Sequence, residues 1–397
     1  MPKKILILGA GLYYQGVISS IKKLGYFVLA IDREPTSPGF QFADKYAVID
    51  IIDREAVLEF AVQNNIDGIM PVNDFGVRTA FYISQKLNLI GSNLLTGICG
   101  CDKGLMRDVW KHEGLPQPNY LVFNSGTPVD YIIENTSFPL VIKPTDCGGA
   151  GRGISIAEDR ASLLFSIQHA AKFVKNDRYI AENFIDGVEV TVDSLVYQNK
   201  VFPLAISDKV KPASQYRVAT SLNFPCKFDE SVQNKIFNIV TAATQALGVS
   251  NGATHTELIV NEDTQDIKLV EIGIRGGGGH LFNTIVEQVT GVNAPQELAK
   301  ILCGDIPTLT PQWQKGCVYR FFNPLKTGTI QDISYSDDLL KNDFLIDFAI
   351  TAKAGDYFRG LIDSMHRVGF AVVTGRNRDE AIANANFVEN NVFFNIA

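Results

Sequence analysis

Apolar and polar positions switch between two spacings along the first hundred residues, and each spacing predicts one kind of element. Short apolar runs are typical of buried strands, whereas spacing of about 3.6 residues is typical of amphipathic helices. The pattern predicts strands at Lys4–Leu8, Phe27–Ile31, Tyr46–Asp50 and Gly68–Pro71, and helices ending at Leu24, over Arg54–Asn64 and from near Gly76. This alternation predicts a parallel sheet with helices on both faces.

Polar residues follow the fourth predicted strand, at Asn73 and Asp74. Ligands of parallel sheets bind beyond the carboxyl ends of the strands, so both residues are candidate substrate contacts. The alternative is that they cap the helix that begins near Gly76.

The turn after the first strand contains glycines at 9, 11 and 16. A dinucleotide-binding motif would have its third glycine at position 14, where this chain has Tyr14. Asp32, at the end of the second strand, keeps an NAD-dependent dehydrogenase as an alternative. Such an acid also serves simply to end a strand.

The pattern changes near Cys101, where we predict a boundary and a helix over Lys103–Glu113. Lys103 begins this helix, where the helix dipole disfavours a cation. We therefore expect an anionic partner from elsewhere in the chain, the alternative being a solvated lysine beside Asp102.

A glycine-rich stretch occupies Val141–Ser155. Its β-branched run ends at Lys143 and is followed by four glycines, Gly148, Gly149, Gly151 and Gly153. Glycine lets backbone N–H groups approach an anion, and a lysine at the strand end adds a positive charge. The stretch predicts a cradle for nucleotide phosphates, and a glycine-rich hairpin with a surface lysine is the alternative.

A helix over Arg160–Phe173 and a strand over Tyr179–Asn183 follow. The segment after this strand suits an adenine ring bound by backbone groups, with a carboxylate accepting from ribose hydroxyls. Glu182 and Glu189 are the carboxylates in question, and the alternative is that both are exposed acids at strand ends.

The segment Ser207–Pro225 carries three basic residues among turn formers, Lys209, Lys211 and Arg217. Long loops near a site often act as lids, so we predict a flap that meets phosphate or carboxylate.

Two strands, Thr254–Val260 and Ile267–Arg275, predict a hairpin around a polar turn. If the hairpin is symmetric about Thr264, Glu257 and Glu271 lie opposite each other. Directly opposed Cβ atoms are about 4.5–5.5 Å apart, a separation at which two carboxylates repel unless a cation lies between them. Magnesium is the cation that carboxylates and phosphates share most readily.

The two-residue period of a strand places His255 and Arg275 on the same face as these glutamates. Arg275 would stabilise charge that develops on a transferring phosphoryl group. His255 is either a substrate contact or a structural histidine. The glycines at 276–279 allow close approach to a ligand, or simply turn the chain.

From about Gly316 the pattern predicts short strands at Cys317–Phe322 and Val368–Val373 and a last helix over Arg378–Asn390. Arg320 is the one candidate catalytic residue in this region, and most arginines in such strands are structural. We predict an appended small domain.

Composition narrows the classes of function. The 397 residues are 46% hydrophobic and 20% charged, and the net charge of −7 argues against nucleic-acid and anionic-membrane binding. The first apolar run is too short for a membrane span and lacks a cleavage site, which predicts a cytoplasmic protein with small-molecule partners. A homodimer is the default assembly.

Taken together, these motifs resemble the ATP-grasp superfamily over nearly the whole chain. The resemblance rests on Lys103, on VIKP with its glycine-rich loop, on AENF followed by GVEVTVD, and on the glutamates of TELIV and LVEIGIR. It implies an α/β and α+β multidomain fold. We expect a parallel-sheet domain at 1–100, small and large ATP-grasp lobes at 101–183 and 184–306, and a small domain at 307–397.

The resemblance also implies roles for individual residues. Lys103 and Lys143 would hold ATP phosphates, and the backbone of Asn183, Phe184 and Ile185 would hold adenine. Glu182 and Glu189 would bind the base edge and the ribose. Glu257 and Glu271 would hold Mg²⁺, with Mn²⁺ as the alternative ion.

Among subfamilies the layout is similar to L-amino-acid ligases, carbamoyl-phosphate-synthetase-like proteins and biotin-carboxylase-like proteins. The implied activity is ligation of a carboxylate, such as an amino acid, to an amine through an acyl phosphate, with ADP released. Gly273 departs from the family, because many members carry an asparagine there as a metal ligand. This departure makes a nucleotide-binding protein without turnover one alternative. A bicarbonate-phosphorylating enzyme is a second alternative.

Overall fold

In the computed structural model the N-terminal residues form a four-stranded parallel sheet of order β3-β2-β1-β4. The structure describes residues 1–146, 148, 151–212 and 218–397 of the chain. The strands and helices of this first region are β1 Lys4–Leu8, α1 Gln15–Lys22, β2 Phe27–Asp32, β3 Lys45–Val48, α2 Arg54–Asn64, β4 Gly68–Pro71 and α3 Asp74–Leu87. The predicted parallel sheet is confirmed.

Strand β1 shows why the apolar runs predicted this sheet. Four consecutive residues, Ile5 to Leu8, are fully buried, because helices cover both faces of the sheet. Asp32 ends β2 and accepts from the backbone N–H of Ala10 at 2.8 Å, so its carboxylate fixes the turn after β1.

A second, antiparallel sheet of order β5-β8-β6-β7 carries the glycine-rich loop. Two helices, α4 Leu94–Gly100 and α5 Lys103–His112, lead into it. Its elements are β5 Tyr120–Phe123, α6 Val129–Glu134, β6 Leu140–Pro144, β7 Ser155–Ala157, α7 Arg160–Ala171 and β8 Tyr179–Asn183. Strand β6 pairs with β7 and β8, so Lys143 lies in the middle of the sheet at the start of the loop.

The largest sheet has eight strands. Its first five strands along the chain are β9 Val188–Tyr197, β10 Lys200–Val210, β11 Ser221–Phe224, β12 Gly252–Val260 and β13 Ile267–Gly273, and helix α8 Glu230–Ala246 lies between β11 and β12 in the sequence. A π-helical turn at Leu281–Ile285 then leads into α9 Val286–Thr290 and α10 Ala294–Cys303. The predicted second strand of the hairpin is too long, because the chain leaves the sheet at Gly273 rather than at Arg275.

The remaining strands complete this sheet and add a small one. They are β14 Gly316–Phe321, β15 Gly328–Tyr335, β16 Leu345–Ile350, β17 Tyr357–Phe358, β18 Gly369–Gly375 and β19 Val392–Ile396, with α11 Arg378–Asn390. The large sheet has the order β13-β12-β9-β10-β11-β14-β18-β16, and the small one β17-β15-β19. The large sheet therefore crosses the predicted boundary at 306/307, and the domain limits stay a prediction.

Candidate active site

The hairpin of β12 and β13 places two carboxylates opposite each other. Glu257 pairs with Glu271 in the antiparallel ladder, so their predicted opposition is confirmed. The ladder is not symmetric about Thr264, however. Leu258 pairs with Leu269, and Val270 is an extra residue that forms a bulge in β13.

Each of these glutamates has a lysine beside it. Lys209 Nζ lies 2.7 Å from Glu257 Oε1, and Lys103 Nζ lies 3.0 Å from Glu271 Oε1. The anionic partner expected for Lys103 is therefore Glu271. Burial alone would raise the pKa of both carboxyl groups, but the lysine charges outweigh it, so the pKa of Glu257 is about 2 and that of Glu271 is also lowered. Both carboxylates are ionised at neutral pH.

A buried ion-pair cluster lies beside the glycine-rich loop. Lys143 Nζ is 2.8 Å from Glu182 Oε2, and Arg107 Nε donates to Glu182 Oε1 at 2.9 Å. Burial opposes ionisation of Glu182, but the charges of Arg107 and Lys143 hold its pKa at about 2. The alternative hypotheses placed Lys143 and Glu182 at the protein surface. Both residues are instead buried, since only 3% of Lys143 and 4% of Glu182 is exposed.

Three glycines of the loop have left-handed backbone, with φ of +69° at Gly148, +71° at Gly151 and +70° at Gly153. A Cβ at Gly148 would lie 2.4 Å from the Phe75 ring, so the loop also packs too closely there for another residue. Gly149 lies outside the described residues. The cradle for phosphates stays a prediction.

The segment predicted to hold adenine follows β8. The N–H groups of Asn183 and Phe184 donate to Asn119 O at 3.0 Å and Pro139 O at 2.9 Å. Both donors are thus used within the protein, and the predicted adenine contacts of these residues and Ile185 depend on other backbone groups.

The flap predicted over Ser207–Pro225 is wrong at both ends. Residues 207–210 belong to β10 and residues 221–224 form β11, since these segments pair with each other and with β9 or β14. The strand fixes Lys209, whose Nζ also bonds Glu189, and Lys211 bonds the other oxygen of Glu189. Glu189 is therefore part of a lysine–glutamate cluster rather than an exposed acid. Arg217 lies outside the described residues.

Asn73 and Asp74 have different roles in the fold. Asn73 caps α3 by accepting from Gly76 N at 3.2 Å, which supports the capping alternative for this residue. Asp74 instead pairs with Arg275, with Oδ1 3.1 Å from Nε and Oδ2 3.1 Å from Nη2. This contact with two guanidinium nitrogens fixes the orientation of Arg275.

The Arg275 guanidinium covers Gly273, the residue that departs from the family pattern. A Cβ at 273 would lie 3.0 Å from Arg275 Cζ, so a side chain there would displace the guanidinium. His255 pairs with Gly273 in the ladder, and its Nδ1 is 3.1 Å from Asp193 Oδ1. The His255 Nε2 lies 3.8 Å from Glu257 Oε1, so the histidine has a structural partner and still borders the carboxylates.

Two residues of this region escaped the sequence analysis. Asp193 accepts from His255 and from the backbone N–H of Gly277, and so joins β9 to the glycine run. Its signal is the two-residue period of β9, which places Asp193, four residues after Glu189, on the same face of an apolar strand. Arg107 carries a similar signal, because it lies four residues after Lys103 on the buried side of α5.

A small pocket lies between the turn after β1 and the glycine run. Its walls include Tyr13, Tyr14, Gly276, Gly277 and Asn283.

Across the described ranges, no group of three or more His, Cys, Asp or Glu side chains is arranged to hold a metal ion. Within the same ranges, no helix has the length and apolar character needed to cross a membrane. Arg320, as expected, has a structural partner, Glu389.

Comparison with known families agrees with this geometry. Residues 136–283 match the model of the ATP-grasp domain. These residues form an ATP-grasp domain. Residues 5–87 match a PylC-like N-terminal domain, and residues 320–397 match L-amino acid ligase C-terminal domain 2.

Curated relatives include a formyltransferase and several ligases. A formate-dependent phosphoribosylglycinamide formyltransferase of Prochlorococcus marinus is 27% identical over 254 residues, which is 62% of this chain and 64% of the relative. The match thus spans less than two thirds of that relative's length. An L-arginine-specific L-amino acid ligase of Bacillus subtilis is 22% identical over 78% of this chain and 76% of its own.

A solved structure supports the same fold. The L-amino acid ligase of Bacillus licheniformis superposes with a TM-score of 0.85 at 20% identity, over 100% of this chain and 99% of that one. At this level of identity the likeness establishes the ATP-grasp architecture, and the predicted fold class is confirmed.

Proposed function

We propose that this protein is an ATP-dependent ligase that phosphorylates a small carboxylate and joins the acyl phosphate to an amine. The observation that carries the proposal is the opposition of Glu257 and Glu271 on one face of the hairpin, with Lys103 beside Glu271. Two ionised carboxylates at this spacing, next to lysines, suit a complex of nucleotide phosphates and a divalent cation.

The carboxylate pair fits Mg²⁺, a hard ion that takes oxygen ligands and keeps several positions for phosphate and water. Glu257 and Glu271 would supply two oxygens, so a cluster of three protein ligands is not required. The ion would neutralise charge on the phosphates, and Mn²⁺ is the alternative. Gly273 offers no side-chain ligand, so we propose a single carboxylate-bound site between the two glutamates.

Cationic side chains are placed to bind the phosphates. Arg107 and Lys143 surround the single negative charge of Glu182, which leaves one net positive charge beside the glycine-rich loop. Lys103, at the start of α5, adds a second ammonium group, whose charge is paired with that of Glu271. We therefore assign the phosphates of ATP to Lys103, Lys143 and the loop, and its adenine to the backbone at 183–185. Because both oxygens of Glu182 already accept from cations, any contact with the base edge would be additional to its support of Lys143.

In the proposed reaction an oxygen of the carboxylate attacks the γ-phosphorus and ADP leaves. The amine nitrogen then attacks the acyl carbon, phosphate leaves, and the nitrogen loses a proton. Positioning and charge neutralisation carry most of the rate increase in such a transfer. Arg275, held by Asp74, would stabilise the charge that develops on the transferred group.

The pocket lined by Tyr13, Tyr14 and the glycine run adjoins these groups and is the proposed place of a substrate. Asp74 and His255 border the same region, whereas Asn73 contributes mainly by capping α3. The L-arginine-specific amino acid ligase among the relatives makes amino acids the first carboxylates and amines to test. Homodimer formation and a cytoplasmic location remain predictions.

Trapping of the acyl phosphate tests the proposal most directly. The protein is incubated with ATP, Mg²⁺, single amino acids and hydroxylamine, and hydroxamate and ADP are measured; pairs of amino acids are then tested for a dipeptide. We expect equal amounts of hydroxamate and ADP for at least one carboxylate. A matched reaction with Glu271→Gln should give neither product.

Two alternative functions predict other results. An enzyme that phosphorylates bicarbonate would release ADP in response to bicarbonate and form no amino-acid hydroxamate. A binding protein without turnover, suggested by Gly273, would bind ATP and release no ADP with any carboxylate. Either result would contradict the ligase proposal.

A further inference from the structure

Arg107 is buried in the protein interior, so its guanidinium group needs hydrogen-bond partners there. It is 1% exposed, and its Nε and Nη2 donate to Glu182 Oε1 at 2.9 Å and to Val270 O at 2.8 Å. The Trp110 ring lies 5.3 Å from its Cζ. Burying a charge is costly unless such contacts compensate, and here they connect α5 with strands of two different sheets.

The carbonyl that accepts from Arg107 Nη2 belongs to Val270, the bulge residue of β13. The pairs near the turn, such as Leu258 with Leu269, would continue as Glu257 with Val270 if β13 had no extra residue. Glu271 would then lie opposite Thr256 and point to the other face, because successive side chains of a strand alternate. The bulge at Val270 is what brings Glu271 to the same face as Glu257.

Strand β13 is the edge of the large sheet, so its outer backbone groups need partners from elsewhere. The chain from α5 onward supplies three of them. Arg107 donates to Val270 O, Met106 Sδ accepts from Ile272 N at 3.4 Å, and Pro116 O accepts from Leu269 N at 2.8 Å. These contacts flank the bulge on both sides, and Arg107 is the only charged side chain among them.

The other contact of Arg107 reaches the phosphate side. Glu182 uses one oxygen for Arg107 and the other for Lys143, at 2.8 Å. The guanidinium therefore fixes the carboxylate that in turn fixes the Lys143 ammonium. One side chain connects the proposed phosphate-binding lysine with the register of the proposed metal ligand.

We propose that Arg107 is a positioning residue that holds Glu271 in register through the Val270 bulge and orients Lys143 through Glu182. This inference rests on the proposed function, since it assumes that Glu271 binds Mg²⁺ and Lys143 binds phosphate. A purely structural arginine would affect stability alone. A positioning arginine also sets how strongly nucleotide binding depends on Mg²⁺.

The test measures binding of ADP by calorimetry across a series of Mg²⁺ concentrations, so that no turnover is needed. For Arg107→Met we expect both the ADP dissociation constant and the Mg²⁺ concentration at half-maximal effect to rise about tenfold or more, as is typical for outer contacts of metal ligands. Arg107→Lys should show a smaller rise in both, because one ammonium cannot span the two partners that a guanidinium spans.

Arg320→Met is the matched control. Arg320 also pairs with a glutamate, and its Nε is buried without a hydrogen-bond partner, as Nη1 of Arg107 is. It lies in β14, away from the nucleotide site. We expect thermal stability to fall in this variant while the dependence of ADP binding on Mg²⁺ stays as in the wild type.

Distinct results separate the two proposals. If the wild type binds ADP in a Mg²⁺-dependent way and folded Arg107→Met shows the same dependence, the positioning role is wrong and the ligase proposal stands. If Arg107→Met does not fold, Arg107→Lys decides, and an unchanged Mg²⁺ dependence in it overturns the role. A wild type without Mg²⁺-dependent nucleotide binding would overturn both proposals.

Discussion

Lys143 Nζ lies 2.8 Å from Glu182 Oε2, and only 4% and 5% of the two side chains are exposed. An ammonium that shares its carboxylate with Arg107 keeps positive charge available for a phosphate. We expect Lys143→Met to raise the ATP dissociation constant about 10- to 100-fold, the value of one charge-assisted hydrogen bond. Calorimetry measures this constant. Lys227→Met, which loses the exposed pair with Glu262 and a contact with the Phe228 ring, is the control. Equal ATP affinity in both variants would contradict the assignment.

Glu271→Gln tests the metal site without a change of shape. The amide keeps the size of the side chain but loses the charge that would attract a divalent cation, so ADP formation should fall at least about a hundredfold. Glu262→Gln makes the same chemical change in the exposed hairpin turn and should leave the rate unaltered. Normal ADP release by folded Glu271→Gln would show that the carboxylate is not a ligand.

Arg275→Lys tests the proposed stabilisation of transferred charge. Lysine cannot reproduce the two contacts with Asp74, so its charge would be misplaced. We expect kcat to fall about a hundredfold, with the ATP dissociation constant nearly unchanged. Steady-state kinetics and calorimetry separate the two effects. Arg376→Lys, at a surface pair with Glu380, is the control; a loss of nucleotide affinity without a loss of kcat would contradict the role.

The glycine run offers a matched pair of substitutions. A Cβ at Gly276 would lie 2.2 Å from the Phe282 ring, whereas a Cβ at Gly278 meets nothing within 4 Å. Gly276→Ala should therefore lower the free energy of unfolding by about 1–3 kcal/mol, a typical cost of overpacking. Gly278→Ala should be close to neutral. Thermal and urea denaturation compare them, and similar stabilities would show that the run does not pack as described.

The pKa of Glu182 makes a prediction about acid stability. Its pKa is about 2 in the folded protein and 4.5 ordinarily, because the charges of Arg107 and Lys143 outweigh the opposing effect of burial. The stabilisation is therefore present above pH 4.5 and is lost as the pH falls toward 2. Glu182→Gln should melt at a lower temperature than the wild type at pH 7, and the two melting temperatures should converge in acid. Parallel curves would contradict the shift.

Much of the fold followed from the sequence because the elements are locally determined. Helix α2, strand β8 and helix α11 have the predicted limits, since each combines a clear periodicity with residues that end it. The opposition of Glu257 and Glu271 was also predicted, although by a symmetry that the hairpin lacks. The bulge at Val270 restores the pairing, and no local pattern in the sequence marks it.

Other features depend on distant contacts. The predicted flap contained Lys209, because basic residues among turn formers are typical of a loop. Pairing of β10 with β9 makes the start of this segment a strand instead. Arg107 joins residues 75 and 163 positions away, so its role could not be inferred from α5 alone. Sequence patterns identify the residue types of the site better than the partners that hold them.

The continuity of the large sheet has a consequence for self-association. Strand β11 pairs with β10 on one side and with β14 on the other, across the predicted boundary at 306/307. A chain without residues 307–397 would keep the hairpin, the lysines and the glycine-rich loop, but β11 would become an unpaired edge. Such an edge is a template for another chain. The C-terminal strands thus protect the sheet that carries the site from pairing with its own copies.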